Sequence, residues 1–242
     1  MRAAIVTGVS RGLGEALVTE LLAHDWHVVG VARTMPSRPA HAGYRFVRCD
    51  LAETATIAGT MRPAFDAIAT QQPEAVCLIN NAATIDGIGV LGALLPADIA
   101  TSIAVNLVAP TLLSNLFLEV FGDDAIERRI VNVSSGAAES TLSGESLYCI
   151  AKAGLEMLTR SVAAEHSSAG FRAITVRPGI IDTAMQTFAR TQSKETLPSV
   201  DMFKEFYASG SLVPPDVVAR KIVSRLVVAP VEHGRTYRYA EL

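Results

Sequence analysis

The sequence predicts an α/β fold, one domain on a doubly wound, parallel, seven-stranded sheet with helices on both faces. Two observations predict it. Short apolar runs alternate with stretches of helical periodicity along the whole chain, the pattern of parallel strands joined by crossover helices. The 242 residues, 50% hydrophobic and 19% charged, suffice for one sizeable core, and α/β domains often reach this length undivided. No repeat, low-complexity tract or linker breaks the chain, so the domain is read as residues 1–242.

The elements follow in order. Ala3–Thr7 is the first strand and Leu13–Ala23 the first helix. His27–Val31 is the second strand, and Thr34–Gly43, holding Pro36, Pro39 and Gly43, is a loop. Tyr44–Arg48 is the third strand, followed by a helix over Thr54–Thr70 with a kink expected at Pro63. Ala75–Ile79 is the fourth strand, Ile99–Phe121 a long helix, and Arg129–Val133 the fifth strand. A helix from Tyr148 to about Ser168 precedes the sixth strand, Arg172–Val176. A looser region runs to Gly210, a helix opens at Pro214-Pro215-Asp216, and Thr236–Tyr239 closes the sheet.

Lys plus Arg number 21 against 24 Asp plus Glu, for a net charge of -3. This balance argues against a nucleic-acid binder or a polybasic membrane protein. No apolar run is read as approaching a membrane span. Arg2-Ala3-Ala4-Ile5-Val6 reads as entering the fold at once, so no signal or transit peptide is expected. Cys49, Cys77 and Cys149 form no C-x-x-C and read as reduced, buried thiols. The five histidines lack metal-ligand spacing, so no metal is expected. A cytoplasmic protein is expected.

Thr7-Gly8-Val9-Ser10-Arg11-Gly12-Leu13-Gly14 joins the first strand to the first helix. Glycines there let the backbone approach a pyrophosphate, and the helix N-terminus offers free N–H groups and a partial positive charge. A tight packing turn has the same composition, but the strand–turn–helix context favours a dinucleotide-binding Rossmann domain. An acid ending the second strand would grip a ribose 2′-OH, whereas Arg suits a 2′-phosphate. Here Ala32 holds the acid's position, Arg33 follows, and Arg11 adds a second cation. That pattern points to NADP(H), the other reading of Arg33 being a solvated loop residue. Cys49-Asp50-Leu51 ends the third strand. Asp50 either accepts from an adenine amino group, pairs with Glu53 in a capping box, or does both.

Val131-Asn132-Val133-Ser134-Ser135 is a buried strand ending in two hydroxyls, and Ser146–Lys152 opens a helix. Four residues separate Tyr148 from Lys152, so phenol and ammonium share a helix face. A phenol near pKa ~10 is a poor acid at neutral pH, and a nearby ammonium lowers it. Lowering it by about three units takes roughly 4 kcal/mol of differential interaction. A strand-end hydroxyl thirteen residues before Tyr148 suits a carbonyl oxygen.

Over its whole length the chain resembles the short-chain dehydrogenase/reductase family. The matches are Thr7-Gly8-x-x-x-Gly12-x-Gly14, Asn80-Asn81-Ala82, Asn106, Ser135, Tyr148-x-x-x-Lys152, and Pro178-Gly179 with Thr183 following. One departure is Ala83, where the family usually has glycine; it tightens the loop without removing a functional group. The resemblance implies Tyr148 as general acid/base and Lys152 as holder of the nicotinamide ribose and depressor of the phenol pKa. It implies Ser135, rather than Ser134, as the group orienting the carbonyl, with Ser134 satisfying backbone at the strand end. Asn106 would fix a water in a proton relay. Ile181 and Thr183 would meet the carboxamide, Asn80 and Ala82 the ribose side, and Pro178-Gly179 completes the cofactor set. A homodimer or homotetramer is likewise implied.

Arg129–Ser135, Leu147–Gly154 and Asp182–Gln186 look most like the sepiapterin reductase and benzil reductase subgroup. This implies NADPH-dependent reduction of a small carbonyl substrate, such as an aromatic α-diketone or a pterin side-chain ketone. The alternatives are a non-catalytic dinucleotide-binding regulator and an NAD-linked alcohol dehydrogenase. Met185, Phe188, Met202, Phe203, Phe206 and Tyr207 form either an apolar lid within 183–213 or the core of two short helices. Glu241 is either a pterin-anchoring acid or a solvated terminal residue.

Overall fold

Strand order decides where a ligand can sit. A computed structural model of the chain describes residues 1–37, 40–122 and 126–242. Its strands are β1 (Arg2–Thr7), β2 (Trp26–Ala32), β3 (Tyr44–Arg48), β4 (Ala75–Asn80), β5 (Glu127–Val133), β6 (Phe171–Arg177) and β7 (Thr236–Arg238). They form one parallel sheet in the order β3-β2-β1-β4-β5-β6-β7. Winding therefore reverses between β1 and β4, and the carboxyl ends of those strands open the crevice where ligands of such sheets bind.

The pleat of β1 divides the core. Ala4 and Val6 face one side with Leu17 and Leu21 of α1 (Gly12–Ala23) and Val218 and Ile222 of α8 (Pro215–Ile222). Ala3 and Ile5 face the other, with Ile57 and Phe65 of α2 (Thr54–Ala69), Phe117 of α4 (Ala109–Val120) and Val162 of α5 (Ser146–Glu165). Burial on both faces is why these strands read as continuous apolar runs. Phe65 and Phe117 lie 5.9 and 5.1 Å from the ring of Phe121, and truncating such a buried ring costs roughly 3–5 kcal/mol.

Several expectations change. The long helix starts at Pro96, as α3 (Pro96–Ile103), passes through a π-helical turn at Ala104–Val108, and continues as α4. Pro96–Val120 is 25 residues with mean hydropathy 1.6, long and apolar enough to cross a membrane by length and composition, contrary to the expectation. It is instead packed on the sheet through Leu113, Leu116 and Phe117. The region read as looser holds two helices, α6 (Ala184–Arg190) and α7 (Val200–Ala208). α2 runs through Pro63. Cys49 and Cys77 are buried, but Cys149 is only partly so. Pro39 lies outside the described residues.

Candidate active site

Thr7 and Asn81 build the floor of the crevice. The Thr7 hydroxyl accepts from the N–H groups of Asn81 (3.0 Å) and Ala82 (2.9 Å), and the Asn81 amide donates to the Thr7 carbonyl at 2.8 Å. This pins the turn after β4 to the glycine loop after β1. Gly8 has φ +73°, and a Cβ there would lie 2.8 Å from the Ala82 Cα. A Cβ on Gly14 would lie 2.1 Å from the Gly8 carbonyl oxygen. Gly12 (φ +63°) faces the Thr183 methyl, 3.4 Å from where its Cβ would be, so the loop meets the segment after β6. Arg11 is the N-cap of α1 and makes no capping bond, which leaves the first-turn N–H groups open to an acceptor. Ser10 is exposed and Leu13 buried beneath the loop. A nicotinamide dinucleotide fits this set, because its diphosphate needs bare backbone at an uncapped helix start.

Ala32 is buried at the end of β2, while Arg33 and Arg11 are exposed and make no ion pair among the described residues. Asp50 does not cap α2, whose N-cap is Glu53. The Ala52 N–H donates to Asp50 Oδ1 at 3.0 Å, a local turn before the helix, so the expected capping box is replaced. Leu51 is buried. Asn80 turns its side chain into the sheet, donating to Asn132 (2.8 Å) and Ser114 (3.3 Å), so that side chain is committed to the sheet. Ala83 has no positive φ, which is why alanine is tolerated where the family has glycine. Pro178 is buried; Gly179, at φ +79°, is exposed beside Tyr239. Ile181 bridges to Val213.

Ser135 ends the β5 segment and caps a short 3-10 turn, its Oγ accepting from the Ala137 N–H at 3.2 Å. Its hydroxyl lies close enough to the Tyr148 phenol to act on that group's pKa, so the strand-end hydroxyl and the phenol are neighbours. Ser134 bonds a side chain rather than the expected backbone. It donates to Glu156 Oε1 at 2.8 Å, and Arg177 grips the same carboxylate at 2.7 and 2.6 Å. Lys152 is 2% exposed, and its Nζ donates to the Val133 carbonyl at 2.7 Å and lies 5.5 Å from the Tyr148 ring centroid.

The electrostatics run opposite to expectation. Burial is the largest influence on Tyr148 and raises its pKa above the ordinary phenol value; Glu145 raises it further and the Ser135 hydrogen bond opposes both. Lys152 is lowered to about 8 by burial. Desolvation disfavours both charged forms, so the phenol keeps its proton.

Asn106 lies in the π-helical turn, buried, with its Oδ1 accepting from the Thr84 N–H (2.9 Å) and its Nδ2 donating to the Thr84 carbonyl (2.8 Å). Its side chain therefore fastens the segment after β4. The α-helical donor for its own carbonyl would be residue 110, which is Pro110 and has no N–H. Leu107 of the same turn packs on Gly154 of α5, where a Cβ would lie 3.0 Å away.

The six expected lid residues divide. Phe203 is buried with Ala189, Leu197 and Val200, and Met202 packs on them. Phe206 meets Phe203 edge-on at 6.4 Å and Met185 is half-buried. Phe188 and Tyr207 are exposed, and Arg190 lies 4.3 Å over the Tyr207 ring. Glu241 is exposed, as the solvated reading expects, and is also bonded, accepting from the Arg238 N–H at 2.6 Å and from Arg235 at 2.8 Å. Thr7, Asn81, Thr84 and Glu145 were not singled out from sequence. The Thr7 and Asn81 motifs were visible, but their mutual bonds needed the β1–β4 register.

The short chain dehydrogenase profile matches residues 2–194. The chain is 32% identical over 241 residues to a benzil reductase ((S)-benzoin forming) of Bacillus subtilis (strain 168), covering 98% of each. It is 30% identical over 239 residues to the sepiapterin reductase of Meriones unguiculatus, covering 92% of this chain and 90% of that one. Among solved structures it is similar to the KRED1-Pglu enzyme, with TM-score 0.85, 25% identity, and coverage of 98% and 100%. A doubly wound sheet, a glycine-lined helix start, a Tyr-x-x-x-Lys helix and a full-length family match agree: the chain is an oxidoreductase of the short-chain dehydrogenase/reductase family, in the benzil and sepiapterin reductase subgroup.

Proposed function

We propose that the chain is an NADPH-dependent oxidoreductase that reduces a ketone or diketone of a small aromatic molecule to the alcohol. The observation that carries this reading is the Ser135 hydroxyl acting on the Tyr148 phenol beside the buried Lys152, at the carboxyl end of a sheet with an open helix N-terminus. The names of the benzil and sepiapterin reductase relatives support the substrate class. Arg11 and Arg33, with no carboxylate at Ala32, support NADPH over NADH.

A bound dihydronicotinamide supplies hydride to the carbonyl carbon. Ser135 donates to the carbonyl oxygen and holds it in line with Tyr148. Tyr148 transfers its phenol proton to the same oxygen as negative charge develops there, so the carbonyl gains one hydride and one proton. Burial that keeps Tyr148 protonated supplies the acid form the reduction needs. Lys152, positively charged below about pH 8, stabilises the phenolate left behind. The Asn106 carbonyl, deprived of an α-helical donor by Pro110, is suited to hold a water that returns the proton. Gly8, Gly12, Gly14, Thr183, Pro178, Gly179, Ile181 and the main chain of Asn80 and Ala82 would hold the dinucleotide, with Asp50 and Leu51 at its adenine end. Apolar Ile99 and Val108, and Ile150 and Met157 on α5, are exposed, which suits a homodimer or homotetramer.

Tyr148→Phe is the test. A loss of about 10²–10⁴ in kcat on a diketone, with NADPH binding retained by nicotinamide fluorescence, is expected for removal of a general acid. Wild-type turnover by the variant would overturn the reading.

A further inference from the structure

Glu145 takes no part in the reduction just described, yet it is only 5% exposed. Its carboxyl has no hydrogen-bond or ion-pair partner among the described residues, and its oxygens are not among the sealed, partnerless polar atoms. A buried carboxyl without a partner is costly, and one that keeps an opening is placed to receive a ligand.

Its position says which one. Glu145 is the N-cap of α5, three residues before Tyr148, so the two share a helix face. Two other segments converge on this turn. The Gly89 N–H donates to the Gly144 carbonyl at 2.8 Å, and Ser199 donates to the Ser143 carbonyl at 3.0 Å. A Cβ on Gly144 would lie 3.0 Å from Leu197 and from Pro198. The loop after β4 and the segment between α6 and α7 therefore wall in the turn that ends in Glu145, whose charge acts on the Tyr148 phenol.

We propose that Glu145 selects vicinal dicarbonyl substrates, its carboxyl O–H donating to the second carbonyl oxygen while Ser135 and Tyr148 hold the first. The proposal rests on the carbonyl-reductase reading above and adds to it the residue that recognises a second carbonyl. Both oxygens of a vicinal dicarbonyl are acceptors, so an ionised carboxylate would repel the second one and only the acid form can hold it. Glu145 is raised to about 7, with burial as the cause. The neighbouring titratable groups on its own helix are Tyr148, Cys149, whose N–H donates to the Glu145 carbonyl at 2.9 Å, and Lys152. Asp86 and Asp98 flank the loop after β4, and exposed Lys194, Glu195 and Asp201 flank the Leu197 wall; none of them shifts Glu145.

Wild type, Glu145→Leu and Glu145→Gln are compared with NADPH on 1-phenyl-1,2-propanedione and on propiophenone, from pH 6 to 9. Binding of the dione to the NADP+ complex is followed by calorimetry in parallel. Glu145→Leu is expected to lower the dione-to-monoketone ratio of kcat/KM about tenfold, the worth of one hydrogen bond to a buried group. Glu145→Gln, which keeps an N–H donor and the shape, is expected to keep both the preference and the calorimetric affinity. It should also abolish the fall in dione binding that wild type has above pH 7. An unchanged ratio in Glu145→Leu, or the same pH dependence in Glu145→Gln, overturns the role of Glu145 alone. Failure of wild type to reduce either ketone overturns the carbonyl-reductase reading, and this proposal with it.

Discussion

Taking the phenol of Tyr148 and the ammonium of Lys152 out of water shifts their protonation in opposite directions, up for the acid that becomes an anion and down for the cation. The spacing of the two residues predicts the reverse for Tyr148, because spacing records which groups are neighbours and not how much water they lose. Arg33 is a simpler case. It is exposed, so its effect depends on direct contact with a phosphate. Arg33→Ala is expected to weaken NADPH binding about tenfold, close to 1.4 kcal/mol, while NADH affinity changes less than about twofold. Parallel titrations at one salt concentration check this, and equal losses for both dinucleotides would remove Arg33 from phosphate recognition.

The glycine loop is an element in which one residue holds two segments at contact distance. A methyl group on Gly14 would sit 2.1 Å from the Gly8 carbonyl, so the start of α1 would have to move away from the turn after β1. Gly14→Ala is therefore expected to cost about 2 kcal/mol or more of stability, as overpacking of a tight site does. Dinucleotide affinity should be lost to a greater degree than the stability deficit accounts for. Urea unfolding and fluorescence titration on the same sample separate the two. The π-helical turn is the complementary case: Pro110 is visible in sequence, but where the helix absorbs its missing N–H depends on how Leu107 seats on Gly154.

Across the molecule, two buried ionisable groups on α5 make stability depend on pH. The folded chain holds the Glu145 proton up to about pH 7, from an ordinary value of 4.5. Its stabilising share is complete below 4.5 and is lost as pH rises through 7. Lys152, lowered from 10.5 to about 8, acts with the opposite sign, weakening the fold below pH 8 and ceasing to do so as pH climbs toward 10.5. Glu145→Gln removes only the first effect. It is expected to stabilise the chain by on the order of 2–3 kcal/mol more at pH 8 than at pH 5. Urea unfolding at both pH values checks this, and an equal effect at the two would mean that Glu145 is solvated.

The alternation of apolar runs determined the seven strands and their parallel sheet, because residues buried on both faces must be apolar whatever their partners. The glycine spacing, Ser135 and the Tyr148–Lys152 step were also legible, since each is a local pattern on one strand, turn or helix. What only the tertiary structure decided is which polar groups found partners. Asp50 turned to Ala52 instead of capping α2, Ser134 to Glu156, and Glu241 to Arg235 and Arg238, while the Glu145 carboxyl has no partner among the described residues. Whether a side chain bonds a local group, as Asp50 and Glu241 do, or a distant one, as Ser134 does across 22 positions, depends on which segments pack around it and exclude water, and those become neighbours only when the strands are in register.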